Sequence, residues 1–356
     1  MPLCGRAPIA AHRYEMVALS YPSPCSRHST RLDPGREAVG VIHHSRDPMA
    51  DLCDRSLWLW YDAVSYTGSR EEYMPMIVRY PRIDYSKIRA HWAPNIAFAQ
   101  HQNATSIIPA PVEPWLIKVL QKAMTHLPEG KDRLRENMAA FIGQESQHFR
   151  QHRMFNKVIA AQGYPALADF EQQLADDLDA FYRKKSLKFM LAYADGFESL
   201  GAVQGGIWFG RMDGLLEGAD PNAVALWKWH MAEEFEHREV CFQIYHAIYS
   251  HGLWSKIWNG YFYRVYGCVY AMAHLQGYMG RMFAYMVKQD RQAMTVEQQA
   301  AFDHDIKALK RFQTRVFFPQ LLKNFLPWYN PGRKATPPGL FDYLRQYEKR
   351  GQEVEA

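Results

Sequence analysis

From about residue 76 onward, apolar side chains recur every three to four positions over long segments, and the apolar/polar alternation of a half-buried strand almost vanishes. That period predicts an all-α chain. A first helix opens at "PAPVEPWLIKVLQKAMTHL", with Pro114 and Glu113 in its first turn, and stops at "PEG" (128–130). A second runs from about Lys131 to Gly163, and a short acidic helix follows around 166–182. A third long helix covers "SLKFMLAYADGFESLGAVQGGIWF", and its partner begins after "GADPN" (218–222) and continues to about Ser250. Two further helices, about 253–288 and 295–325, precede the Pro-rich "PWYNPGRKATPPG" and a charged tail. Four long helices joined by short turns predict a helical bundle within residues 74–330, with additional C-terminal helices and a tail over 331–356.

Residues 1–73 carry no sustained period. Ten arginines precede the first lysine, Lys87, and three of the five cysteines (Cys4, Cys25 and Cys53) fall here. This segment reads as an extended arm or as translation from an upstream start, with Met74 or Met76 as the more natural beginning. With Cys241 and Cys268 the cysteines form no Cys-x-x-Cys pair, which argues against a thiolate metal site and fits a reducing compartment, the cytoplasm by default. The formal charge of +5 is scattered rather than gathered into a stripe, so nucleic acid is not an expected partner. The longest weakly charged stretch, "VYGCVYAMAHLQGYMG", is too short to span a bilayer and contains His274 and Gln276, so no transmembrane segment is expected.

Polar residues inside otherwise apolar helices change the picture. Glu-x-x-His occurs twice, as Glu145 with His148 and as Glu234 with His237. Residues three apart share a helical face, so each pair can aim a carboxylate and an imidazole at one metal ion. In di-iron and di-manganese bundles two further helices each add one Glu. Glu113 lies 16 residues before residue 129 and Glu145 lies 16 after it, so an antiparallel hairpin brings them level. Around residue 216, Glu198 and Glu234 are likewise 18 residues before and after. Two half-sites of this kind imply two metal ions. Glu198 sits among Tyr193, Phe197, Leu200 and Val203, where an unpaired carboxylate is expensive. The helix dipole alone would also favour Glu113 in a first turn. His230, four residues before Glu234, is either a seventh ligand or a hydrogen-bonded core histidine. Glu233, Glu236 and Asp195 read as partners of the ligands or as surface charges, and His152 and Tyr193 as tuning or packing residues.

The strings "WKWHMAEEFEHREVCFQIY" and "FIGQESQHFRQHRMFN", with the lone Glu113 and Glu198, resemble the family of predicted metal-dependent hydrolases within the ferritin-like group. The resemblance covers about residues 76–325 and implies a ferritin-like four-helix bundle. The same spacings also resemble the arylamine N-oxygenase type of di-iron enzyme, in which three histidines and four glutamates hold two irons. The set here would be Glu113, Glu145, His148, Glu198, His230, Glu234 and His237. One position departs from the family, which usually has glycine where Val112 precedes Glu113.

An oxygen-rich site with few imidazoles suits iron, with manganese or zinc as alternatives. The reading is an enzyme that activates O₂ to oxidise a small apolar or aromatic substrate, fed by an electron donor. The alternatives are hydrolysis by a metal-activated water and non-enzymatic iron storage; against storage, ferritin cages need small, compact subunits. The segment 253–288 carries Trp254, Trp258, Phe262, Tyr266, Tyr270 and Met279, more aromatic and Met surface than an ordinary packing face needs. It reads either as core or a homodimer surface, or as the lining for a lipid-like substrate with peripheral membrane contact.

Overall fold

The computed structural model describes residues 76–351, and the reading of residues 1–73 lies outside them. Among the described residues every regular element is helical and no strand occurs, as the apolar period requires. No helix there is long and apolar enough to cross a membrane.

The first element, α1 (Ile96–Ser106), has no counterpart among the predicted helices. Its sequence "IAFAQHQNATS" buries Gln100, Gln102 and Asn103, so polar residues interrupt the apolar stripe that would have signalled a helix. Asn103 Oδ1 accepts from Trp92 Nε1 at 2.9 Å, and Gln100 Nε2 donates to Asp290 Oδ2 at 2.7 Å.

Helix α2 (Pro109–Met124) begins at Pro109, so Pro114 and Glu113 lie beyond the first turn, contrary to the sequence reading. Proline has no N–H, and the carbonyl of Ala110, four residues back, loses its helical donor. Arg153, on α3 (Asp132–Ala160), replaces it: Nη2 donates to Ala110 O at 3.2 Å. Helix α4 (Leu167–Lys184) packs against α2, and α2 packs along α3.

Helix α5 (Leu187–Trp208), capped by Ser186, is buried nearly end to end. The helix expected from residue 222 to 250 is in fact two, α6 (Pro221–Glu236) and α7 (Val240–Tyr249), with His237 at the break. No glycine or proline marks it. Buried Arg238 accounts for it: its Nη1 donates to Phe235 O at 2.6 Å and its Nε to Pro331 O at 3.0 Å, taking a carbonyl the helix leaves open.

The helix expected over 253–288 starts with a short turn at Leu253–Ser255. It passes through π-helical turns at Lys256–Tyr263 before continuing as α8 (Arg264–Ala293). Helix α9 (Val296–Phe312) likewise runs into a π-helical turn at Gln313–Phe317. The Pro-rich stretch leads to α10 (Leu340–Gly351), whose Leu340, Leu344 and Tyr347 are buried. Helix α5 is the central element, flanked by α8, α6, α7 and α2. Its approach to α8 needs a missing side chain, because a Cβ on Gly267 would lie 2.3 Å from the Ala192 Cβ.

Candidate metal centre

The polar positions singled out in the sequence come together where α2, α3, α5 and α6 meet. Glu113 comes from α2, Glu145 and His148 from α3, Glu198 from α5, and His230 and Glu234 from α6; His237 caps α6. All seven side chains are buried. Two overlapping groups have ligand atoms within 4.8 Å of one another: Glu113, His148, His230 and Glu234, and then Glu145, His148, Glu234 and His237. Glu198 adjoins the second group, with Oε2 at 3.0 Å from His237 Nδ1. The departure at Val112 does not turn Glu113 away, since its Oε1 lies 3.4 Å from His230 Nε2.

Each imidazole is oriented. His148 Nε2 lies 2.9 Å from Glu233 Oε2, which leaves Nδ1 facing Glu145 Oε2 at 3.7 Å. His230 Nδ1 lies 2.6 Å from His152 Nε2, while its Nε2 faces Glu234 Oε1 at 2.9 Å. His152 Nδ1 in turn meets Ser106 Oγ at 2.7 Å, and that hydroxyl donates to Asn156 Oδ1 at 2.6 Å. His237 has carboxylates at both nitrogens, with Glu145 Oε1 3.2 Å from Nε2.

The surroundings supply few compensating donors. Both carboxylate oxygens of Glu113, Glu145 and Glu198, with Glu234 Oε2, His148 Nδ1 and both nitrogens of His237, have no aligned hydrogen-bond partner. Burial drives the Glu113 and Glu198 carboxyls well above the usual range, and the neighbouring carboxylates push in the same direction. Burial also raises Glu234, against the pull of His237 and His148. His230 is held well below the usual histidine range by burial and by the adjacent histidines. Burial opposes the charged form of His148 as well, but Glu145 and Glu233 outweigh it and raise that histidine. Orphaned oxygens and nitrogens converging in a buried core fit a cation, because the facing histidines repay only part of their lost hydration.

Gly201 gives a second, steric sign of fit. It sits one turn after Glu198, and a Cβ there would lie 1.8 Å from Glu234 Oε2, so the carboxylate occupies the space a side chain would fill. A small cavity of about 50 Å³ opens beside His230 and Glu234, walled by Phe197, Leu200, Met231, Leu275 and Met279, with Gln204 and Gln276 as its polar groups.

The other candidates separate clearly. Glu233 is buried between His148 and Arg79, whose Nη1 donates to Glu233 Oε1 at 3.0 Å. Glu236 accepts from Arg79 at 2.8 and 3.1 Å and from Gln144 at 2.6 Å. Arg79 also reaches Glu348 at 2.9 Å, so the entering chain and α10 are tied to the back of the cluster. Asp195 is no surface charge; it is buried against Arg264 Nε at 2.5 Å. Tyr193 faces away, its hydroxyl 2.9 Å from His274 Nδ1. The sequence reading missed Arg79, Ser106, Asn156 and Gly201. Only the glycine left a signal, three residues after Glu198 in "ESLG".

The arrangement combines acidic oxygens, inward-facing imidazole nitrogens and an apolar pocket, the ingredients of a metal-dependent enzyme. No curated protein and no solved structure matches the chain. Residues 77–335 match the model of the family described as predicted metal-dependent hydrolase, and the chain belongs to that family.

Proposed function

We propose that Glu113, Glu145, His148, Glu198, His230, Glu234 and His237 hold two iron ions in a ferritin-like four-helix arrangement. The centre would oxidise a small apolar or aromatic molecule with O₂. The observation that carries this reading is an apolar pocket ending on His230 and Glu234, at the edge of a cluster of carboxylates most of whose oxygens have no aligned hydrogen-bond partner. Iron is favoured over zinc by the excess of oxygen donors and the lack of a thiolate among these seven residues. When bound, two such ions supply the redox chemistry: one oxygen atom enters the substrate, the other leaves as water, and an external donor provides two electrons and two protons.

The chain's own residues prepare that site. A metal on His230 Nε2 requires the proton on Nδ1, which then donates to His152 Nε2. The His152 Nδ1–H donates to Ser106 Oγ, and the Ser106 hydroxyl to Asn156, so every donor finds an acceptor. Glu233 sets His148 in the opposite sense, accepting from Nε2–H so that Nδ1 faces inward. Phe197, Leu200, Met231 and Leu275 exclude water from the substrate side, and Gln204 and Gln276 offer the polar contacts that orient a bound molecule.

Hydrolysis is the second reading, favoured by the description of the family. The two are separated by metal analysis of protein expressed with iron, manganese and zinc available, beside a Glu198→Ala/Glu234→Ala variant. About two irons per chain, lost in the variant, together with O₂ uptake on reduction, support oxidation. Zinc or manganese without O₂ uptake transfers the assignment to hydrolysis. Wild-type protein that binds no metal refutes both.

A further inference from the structure

The π-helical segment and the first turns of α8 present an apolar face that no other described residue covers. Trp254 and Trp258 are 72% and 61% exposed, and Phe262, Tyr266 and Val269 are about half exposed. Along α8 the exposed positions from Tyr266 to Gly280 are Tyr266, Val269, Ala273, Gly277 and Gly280, with no polar side chain among them. At 1.5 Å per residue that bare stripe extends about 20 Å along the helix. A second exposed apolar segment lies beside it. Tyr261 Oη donates to Phe325 O at 3.1 Å and Arg264 Nη1 to Asn324 O at 3.3 Å, which seats residues 318–328, with exposed Leu322 and Trp328, against the π-helical turns.

The two segments that form this face carry charges of one sign. Residues 251–289 contain four basic residues and no carboxylate, and residues 306–341 contain seven and none. The α4–α5 turn adds Lys185 and Lys188: Lys185 Nζ lies 5.2 Å over the Phe189 ring, which touches Tyr266, and Lys188 Nζ lies 3.9 Å over Tyr263. Asp177 flanks the stripe further along, where it binds His274 and Tyr278. Tryptophan and tyrosine with a cationic rim suit the boundary between lipid headgroups and acyl chains. A two-fold dimer through this face would set cations against the same cations, because such an interface pairs a patch with itself.

We propose that this face docks on an anionic lipid bilayer, with Trp254, Trp258 and Phe262 entering the headgroup boundary and Lys185 and its neighbours meeting lipid phosphates. Docking is superficial, since no helix among the described residues is long and apolar enough to cross. It is also independent of the metal reading, and protein stripped with a chelator binds vesicles as well as the loaded form does.

The test is flotation of the full chain with vesicles of phosphatidylcholine alone, or of phosphatidylcholine with a minority of phosphatidylglycerol. The protein floats with the anionic vesicles and is released by salt. Trp254→Gln/Trp258→Gln lowers binding about tenfold with an unchanged circular dichroism spectrum, the lost contacts being apolar area. Lys185→Gln/Lys188→Gln lowers it about 25-fold on anionic vesicles only, about fivefold per basic residue. Failure to float with anionic vesicles overturns the proposal, as does equal binding by the wild type and both variants. So does a dimer by light scattering that Trp254→Gln/Trp258→Gln dissociates while neither protein binds vesicles, an outcome that assigns the face to a second copy of this chain.

Discussion

Replacing Gly201 by alanine adds one methyl group where the Glu234 carboxylate lies. The new Cβ would sit 1.8 Å from Oε2, 2.6 Å from Cδ and 3.1 Å from Cγ, whereas ordinary contact begins at 3.4 Å. The carboxylate must therefore withdraw by about 1.6 Å, the difference between 3.4 and 1.8 Å. Metal–oxygen bonds tolerate deviations of only about 0.2 Å, so a ligand displaced this far is lost. Removing a mere supporting partner of a ligand weakens metal binding by about 10–100-fold, and loss of Glu234 itself should exceed 100-fold. The fold should survive. Alanine is favoured over glycine inside a helix by about 1 kcal/mol, and the small cavity that both residues line gives the carboxylate room to turn. The assay is metal content after dialysis, together with the melting temperature of chelated and loaded protein. Gly201→Ala should lose the metal and the melting-temperature increment it brings, while the chelated forms melt within a few degrees of each other. A variant that keeps wild-type metal content and affinity would refute the placement of Glu234 in the centre.

Two more predictions follow the same geometry. Glu233→Gln keeps an acceptor for His148 Nε2 but removes the charge, and Arg79 retains Glu236 and Glu348. Chelator competition should therefore show metal affinity reduced about 10–100-fold with little change in the melting temperature of the chelated protein; unchanged affinity would make Glu233 a structural partner only. The metal-free protein should also lose stability as pH rises above about 6.5. Glu113 and Glu198 have raised values, so their contribution is complete below the usual carboxylate range and disappears as pH climbs through the raised values. His152 and His230 have lowered values and act in the opposite sense, losing stability only as pH falls below about 6.5. Urea unfolding of chelated protein over pH 6.5–8.5, read beside metal-loaded protein that stays flat, checks the sign; a chelated form that gains stability over this range contradicts it.

Helix by helix, legibility followed the local signal. Ser186 bounds α5 where the sequence placed it, because a cap is a contact between near neighbours in the chain, whereas α6 begins at Pro221, inside the "GADPN" stretch read as preceding it, with Asp220 as its cap. Helix α1 was invisible because Gln100, Gln102 and Asn103 interrupt its buried face, and Asp290 and Trp92, the partners of Gln100 and Asn103, lie in other segments. The break at His237 was hidden for a similar reason: Arg238 reaches Pro331, 93 residues away.

The sequence by itself determined that the chain is helical and that two Glu-x-x-His pairs each lie within a single turn, because the 3.6-residue period ties position along the chain to direction around a helix. Only the tertiary structure decided which nitrogen of His148 and His230 faces the cluster, and that the Glu234 carboxylate needs the empty side of Gly201. It also brought Arg79 to Glu233 across 154 residues. These depend on packing between helices, where a fraction of an ångström separates a contact from a clash and no short-range period carries the information.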